Sequence, residues 1–232
     1  MQQFFIDDID NPSLSDDQHH QIKNVLRMKQ NDTVRLVDAK GNGVLARFNT
    51  NALDSFDILE PLTFYKKKYR IRIVASLIRS ERLEWMIQKA CECGVDEIIL
   101  YRSDRGVVRD FGKREARKLE RLQLIAKEAS EQSYRQFPVS VSGIIESKDL
   151  KSTLSDFNLY GDTSDHPHLL SVLNKSQGSI TVFIGPEGGF SDKERALFDS
   201  LNIQAVSFGP YIYRAETAPL AVATLISTLE IG

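Results

Sequence analysis

From residue 71 onward, short β-branched runs alternate with segments whose apolar residues recur at helical spacing. That alternation restricts the chain to a parallel α/β layer fold. Ile71-Arg72-Ile73-Val74-Ala75-Ser76-Leu77 reads as a strand. Leu83, Met86, Ile87, Ala90 and Cys91 then share one helical face, and Gly94 stands where a helix-terminating glycine belongs. Val95 to Tyr101 reads as the next strand, and a long helix is expected over 112–134 with Leu119, Leu122, Ala126 and Ala129 on one side. Further strands near Val139 and Leu159 and a short helix near Leu169 lead to two apolar runs, Ile180 to Ile184 and Ala205 to Phe208. Residues 1–70 read as a separate β-rich module. Phe4-Phe5-Ile6 is strand-like, Ser15-Asp16-Asp17-Gln18 is a capping box for a helix running to about Arg27, and Ala39 to Gly43 reads as a hairpin turn between Thr33–Asp38 and Val44–Phe48. A further strand is expected at Phe56 to Leu59, and Pro61 with the basic run after it marks the boundary between domains 1–70 and 71–232.

Each of the last two apolar runs opens into a glycine-bearing segment: Gly185-Pro186-Glu187-Gly188-Gly189-Phe190-Ser191, and Phe208-Gly209-Pro210-Tyr211-Ile212-Tyr213-Arg214-Ala215-Glu216-Thr217-Ala218. Open parallel sheets bind ligands beyond the C-terminal ends of their strands, and glycine lets backbone approach a ligand closely. Two such loops are therefore candidate walls of one pocket. Ser191-Asp192-Lys193-Glu194 is a second capping box, so the first loop runs into a helix N-terminus, a geometry suited to an anion. The dinucleotide pattern G-x-G-x-x-G is missing, as is the Gly-Lys-Ser/Thr of a P-loop, which weakens simple nucleotide-cofactor and NTPase readings. The bland alternative for each loop is a turn-rich strand-to-helix connection.

Composition narrows the class further. The 232 residues carry a net charge of −2, so any nucleic-acid surface must be a local patch; Lys66 to Arg72, Arg102 to Arg109 and Lys113 to Arg121 are the candidates. No apolar run reaches membrane-spanning length, and the acidic start Met1 to Asp8 lacks the basic opening of a secretory signal, so a cytoplasmic location is expected. Cys91 and Cys93 fall in one predicted helix at i and i+2, which do not face each other, and two sulfurs alone make a poor zinc site. His166-Pro167-His168 beside Asp165 is turn-like and is not read as a metal site.

The two glycine segments together resemble the signature segments of the bacterial 16S rRNA uracil-N3 methyltransferases of the SPOUT superfamily. Other stretches share the likeness in the family's order: Glu81-Arg82-Leu83-Glu84-Trp85-Met86-Ile87-Gln88-Lys89-Ala90, Glu92-Cys93-Gly94-Val95, Glu128 to Arg135, and the His20–Met28 stretch that includes Arg27. The likeness covers nearly the whole chain. It implies a knotted α/β methyltransferase domain with a deep trefoil knot, an N-terminal PUA-like β-barrel that helps hold RNA, and a homodimer with the knot region at the interface. It also implies a reaction: S-adenosylmethionine-dependent methylation of N3 of a uridine in the decoding region of 16S rRNA, without a metal.

The same resemblance implies which residues would act. Ile184, Gly185, Pro186, Glu187, Gly188, Phe208, Gly209, Tyr211, Ile212, Tyr213 and Thr217 would hold the cofactor. Phe208 and Ile212 have ordinary core packing as their other reading. Arg214 is the leading catalytic residue, able to bind a phosphate or stabilise a uracil anion through its fork of donors. Two readings stand for Glu216: acceptor of the N3 proton, or cap of the last helix together with Thr217. Arg27, Arg82, Arg105, Arg109 and Arg135 are candidate RNA contacts, each with a solvated surface arginine as its alternative. Gln88 and Gln132 either order the site or are polar helix-surface residues. The sequence departs from the family pattern in two places. Gln2 and Gln3 stand where an arginine usually precedes the Phe-Phe pair, and Tyr211 and Tyr213 replace the usual Arg and Leu of the second segment.

Overall fold

The computed structural model describes residues 1–173 and 178–229. Among them the chain divides into two compact units, Met1–Lys66 with Ser130–Pro138, and Lys67–Ala129 with Val139–Gly232. The division at residue 70 read from the sequence is thereby corrected in two ways. Tyr69 and Arg70 already belong to a strand of the second unit, and the segment 130–138, contiguous in sequence with a long helix of that unit, packs with the first.

The first unit holds a four-stranded sheet of order β1-β2-β3-β4, from β1 (Gln2–Phe5), β2 (Thr33–Val37), β3 (Gly43–Phe48) and β4 (Phe56–Pro61). β1 and β2 run parallel; β2, β3 and β4 form an antiparallel meander, with a bulge between Leu45 and Ala46. The expected closed barrel is not what these strands build: among the described residues the pairing is open at β1 and β4. Side chains satisfy the end of β1 instead, since Phe5 N–H donates to Glu131 and Gln18 Nε2 donates to Phe5 O. Gln3, one of the two glutamines at the family's arginine position, is fully buried; it donates to Arg135 O at 2.7 Å and accepts from Arg35 Nε. The Ser15 capping box is present and starts α1 (Asp16–His20). The helix then widens into a π-helical turn over Gln21–Val25 and ends where Arg27 takes a positive φ of 51°, so it stops at the residue the sequence pattern predicted. The core here is Phe4, Ile22, Val34, Leu36, Ala46 and Phe48.

The second unit is a six-stranded, all-parallel sheet of order β10-β8-β9-β5-β6-β7. Its strands are β5 (Tyr69–Ser76), β6 (Glu97–Tyr101), β7 (Ser140–Ile145), β8 (Phe157–Gly161), β9 (Gly178–Ile184) and β10 (Gln204–Val206). Central strands of such a sheet are covered on both faces, so successive residues must both be apolar. Ile73, Leu100, Leu159 and Val182 face one side, with helices α2 (Ser80–Glu92), α3 (Glu115–Gln132), α4 (Leu169–Val172) and α6 (Ala218–Thr228). Val74, Tyr101, Tyr160 and Phe183 face the other, under α5 (Asp192–Ser200) and its Phe198. After the edge strand β10 the chain returns to the centre, where α6 packs on β5, α2 and α4. Cys91 is buried at the end of α2 and Cys93 lies one residue beyond it; neither is in a disulfide.

Candidate functional site

Three adjacent strands deliver their C-terminal ends to one place. The residues at and beyond the end of β8 (Gly161, Asp162, Thr163), at and beyond the end of β9 (Ile184 to Phe190) and after β10 (Ser207 to Tyr213) line a single cavity of about 370 Å³, joined by Arg195, Ala215 and Ala218. That size and placement suit a small-molecule site in an open α/β sheet. Ile184, Gly185, Pro186, Glu187, Gly188, Phe208, Gly209, Tyr211, Ile212 and Tyr213 all lie on its wall. Thr217 does not; it faces a second cavity described below, and this corrects its grouping with the others.

Glycine is needed at specific points of this wall. A Cβ on Gly161 would sit 2.5 Å from the Phe208 ring, so the ring can lie against the end of β8 only because position 161 has no side chain. Gly189 and Gly209 have φ of +65° and +135°, where L side chains are strained. Beyond Gly209 the second loop projects outward: Tyr211 and Ile212 are about 80% exposed, at 79% and 81%. The alternative reading of Ile212 as a core residue is therefore not met; it is an exposed residue on the wall of the cavity.

The first loop is fastened from β6. Glu194, the capping-box residue of α5, is 1% exposed and accepts three hydrogen bonds, from Tyr101 OH, Asp104 N–H and Ser191 N–H. Ser191 also donates to Asp104 at 2.6 Å, and Arg105 Nη1 donates to Gly188 O at 3.2 Å. Burial, with the adjoining Glu194 carboxylate, holds the Tyr101 hydroxyl pKa well above its usual value and hence keeps it a proton donor. On the opposite wall Asp162 pairs with Arg195. Burial alone would raise the Asp162 pKa, but bonds from Ser164, the Arg195 charge and Thr163 N–H leave it lowered.

A second cavity, of about 480 Å³, is lined by Glu81, Arg82 and Trp85 of α2 and by Arg214, Glu216 and Thr217. The stretch 213–218 is thus shared: Tyr213, Ala215 and Ala218 face the first cavity, while Arg214, Glu216 and Thr217 face the second. Arg82 Nη1 lies 3.5 Å from Glu187 Oε1 and 3.7 Å from Glu216 Oε1, linking the two glycine segments. Glu216 is 8% exposed, and its Oε2 is buried with no hydrogen-bond partner among the described residues. It does not cap the last helix. Thr217 occupies the N-cap position of α6 without a side-chain hydrogen bond. Arg214 is exposed, with no ion pair among the described residues.

The remaining predicted RNA-contact residues are divided between the two units. Arg27 and Arg135 belong to the first unit. Arg109, in the second, donates to Ser103 O and borders a third cavity with Arg102 and Lys148. Gln88 is half-buried and Gln132 exposed. His168 caps α4 by accepting from Leu170 N–H, and His166 lies 3.8 Å from Asp162. Sequence reasoning missed Gly161, Asp162, Thr163, Arg195 and Trp85. A third strand ending in Gly161 was a signal for the first three. Trp85, the chain's one tryptophan, falls three residues after Arg82, away from the apolar stripe of α2, which was the signal for it.

Residues 65–227 match the model of the RNA methyltransferase domain. The chain belongs to that family, and it is an RNA methyltransferase by fold and sequence. Ribosomal RNA small subunit methyltransferase E of Bacillus subtilis is 29% identical over 228 residues, covering 93% of this chain and 89% of that protein. The crystal structure of the like-named protein from Neisseria gonorrhoeae, bound to S-adenosyl methionine, superposes with a TM-score of 0.88 at 28% identity and covers 99% of this chain and 98% of its own. A probable rRNA-methyltransferase from Porphyromonas gingivalis gives a TM-score of 0.81 at 28% identity, over 100% and 99% of the two chains.

Proposed function

We propose that this chain transfers the methyl group of S-adenosylmethionine to N3 of a uridine in 16S rRNA of the small ribosomal subunit. The observation that carries this reading is the shared segment 213–218, which borders a glycine-walled cavity on one side and an arginine- and carboxylate-lined cavity on the other. The family match and the S-adenosyl methionine in the Neisseria structure support the assignment of the first cavity to that cofactor. This chain's own residues fit it. The missing Cβ at Gly161 lets Phe208 line the wall, and the loop backbone from Ile184 to Gly189 presents peptide groups to a small polar ligand.

When bound, the cofactor supplies an electrophilic methyl carbon on a sulfonium sulfur. N3 of neutral uracil carries a proton and attacks poorly until that proton leaves. Glu216 Oε2 accepts the proton, the N3 electron pair forms the bond to the methyl carbon, and the carbon–sulfur pair returns to sulfur, giving 3-methyluridine and S-adenosylhomocysteine. Arg214 stabilises negative charge spreading onto the uracil oxygens, an effect strongest in a site with little water. Arg82 holds Glu216 and Glu187 in position. Arg105 and Arg109, with Arg27 and Arg135 of the first unit, contact phosphates, which orient RNA without reading sequence. In this reading the first unit is a PUA-like RNA-holding module, the second carries the trefoil knot, and the protein acts as a cytoplasmic homodimer without a metal.

Mapping modified nucleotides in 16S rRNA from a strain lacking the gene is the decisive test. Loss of one N3-methyluridine is expected; its retention overturns the assignment.

A further inference from the structure

The second cavity has a feature that the methyl-transfer reading does not use. Trp85 is 43% exposed on α2, beside Arg82 and across from Arg214 and Glu216. A large aromatic residue left open in a cavity offers a flat apolar face that any base can stack on. The polar groups around it are specific. Glu216 contributes an oxygen that is buried and has no partner among the described residues, and a buried acceptor left unpaired is costly, so it favours a ligand that donates there. A pyrimidine base presents one edge to such a group. Uracil offers the N3–H donor; cytosine in the same alignment sets a bare N3 lone pair against the carboxylate, its one donor on that edge being the N4 amine at the neighbouring position.

We infer that the cavity between α2 and residues 214–217 is the pocket for the extruded target base, with Trp85 as its stacking face and Glu216 as the group that selects uracil over cytosine. The inference rests on the methyl-transfer reading and adds to it a base site and a basis for discrimination. A base within an RNA stem has to leave its stack to reach such a pocket, and the stacking face recovers part of the lost stacking. Arg82 is tied to both carboxylates, so the platform and the acceptor are held in one arrangement.

Because Trp85 is the one tryptophan, its emission reports on this cavity alone. The full-length protein is titrated with two end-labelled single-stranded hexaribonucleotides, all cytidine or with one uridine, while anisotropy of the label follows binding. The uridine strand is expected to quench Trp85 at saturation, and the all-cytidine strand to bind through its phosphates with at least tenfold less quenching. Glu216→Gln, whose amide both donates and accepts, is expected to erase that difference. Trp85→Ala should lower kcat/KM for RNA about 10- to 100-fold, Trp85→Phe should restore most of it, and the affinity of either variant for S-adenosylmethionine should stay within about twofold.

Equal quenching by both bound strands, or full RNA activity in Trp85→Ala, overturns the inference. So does Trp85 emission that follows protein concentration but not RNA, which would mean that a second copy covers the face. If the wild-type protein transfers no methyl group to RNA, the methyl-transfer reading fails, and the uridine-against-cytidine quenching alone then decides the base pocket.

Discussion

The two cavities on either side of residues 213–218 are built from different materials. The first is built largely on backbone: glycines, two prolines and apolar or aromatic side chains at the ends of three parallel strands, with Asp162 and Arg195 paired to each other. The second is side chain: two arginines, two glutamates, a threonine and an open indole. A wall of backbone recognises shape and offers amides and carbonyls at fixed positions, and it tolerates few substitutions because space and φ are both committed. A wall of charged side chains provides chemistry, and its groups can be exchanged without moving the chain. Substitutions in the two walls should therefore separate cofactor affinity from turnover.

The largest effect is expected at the fastening of the first wall. Glu194→Ala removes the acceptor of three hydrogen bonds, and each such bond to a charged group contributes about 1.5–3 kcal/mol. The fold should lose about 3–5 kcal/mol in urea denaturation, with S-adenosylmethionine binding weakened as the loop loosens. Next comes Arg214→Ala. Loss of one donor aimed at developing charge should lower kcat about 10²- to 10³-fold while calorimetry finds cofactor affinity nearly unchanged; full activity would remove Arg214 from the chemistry. Gly161→Ala should do the reverse. Its methyl meets Phe208, an overpacking worth about 1–3 kcal/mol, so cofactor affinity should fall about tenfold or more while RNA binding by anisotropy is retained.

The smallest effect concerns the support of the second wall. Glu84 anchors α2, the helix that carries Arg82 and Trp85, by bonding Arg121 at 2.9 Å and Lys118. The hydrogen bond from Arg121, then that from Lys118, lowers the Glu84 carboxyl to about 2 from its ordinary 4.5. A folded-state value below the unfolded one gives stability that is complete above about pH 4.5 and is lost as pH falls toward 2. Arg121 is largely exposed, at 63%, so solvent screening limits the contribution to about 1 kcal/mol. Glu84→Gln should lower stability by that amount at neutral pH and flatten its fall in acid, leaving methyl transfer close to normal.

Particular elements show how far the amino-acid pattern reaches. The capping boxes at Ser15 and Ser191 formed where the sequence placed them, because a cap is made by residues three apart and needs no distant partner. The apolar stripe of α2 and the glycine after it were legible for the same reason. Glu194 was legible only as a cap. Its bonds to Tyr101 and Asp104 join residues some ninety positions apart, and nothing local announces them. The Ser130–Pro138 segment reads as the end of a helix, yet Glu131 and Arg135 bond to the first strand of the chain. The open edge of the N-terminal sheet could not be read either, since strand alternation is the same in an open sheet and a closed barrel.

The sequence by itself determined the parallel α/β layer, the two glycine loops and their place after strands, because periodicity and backbone freedom act over a few residues. Only the tertiary structure decided that Arg214, Glu216 and Thr217 turn away from their neighbours into a second cavity, that Trp85 stands across from them, and that one Glu216 oxygen is buried without a partner among the described residues. These facts depend on which strand ends and helix faces meet, and packing of remote segments fixes that.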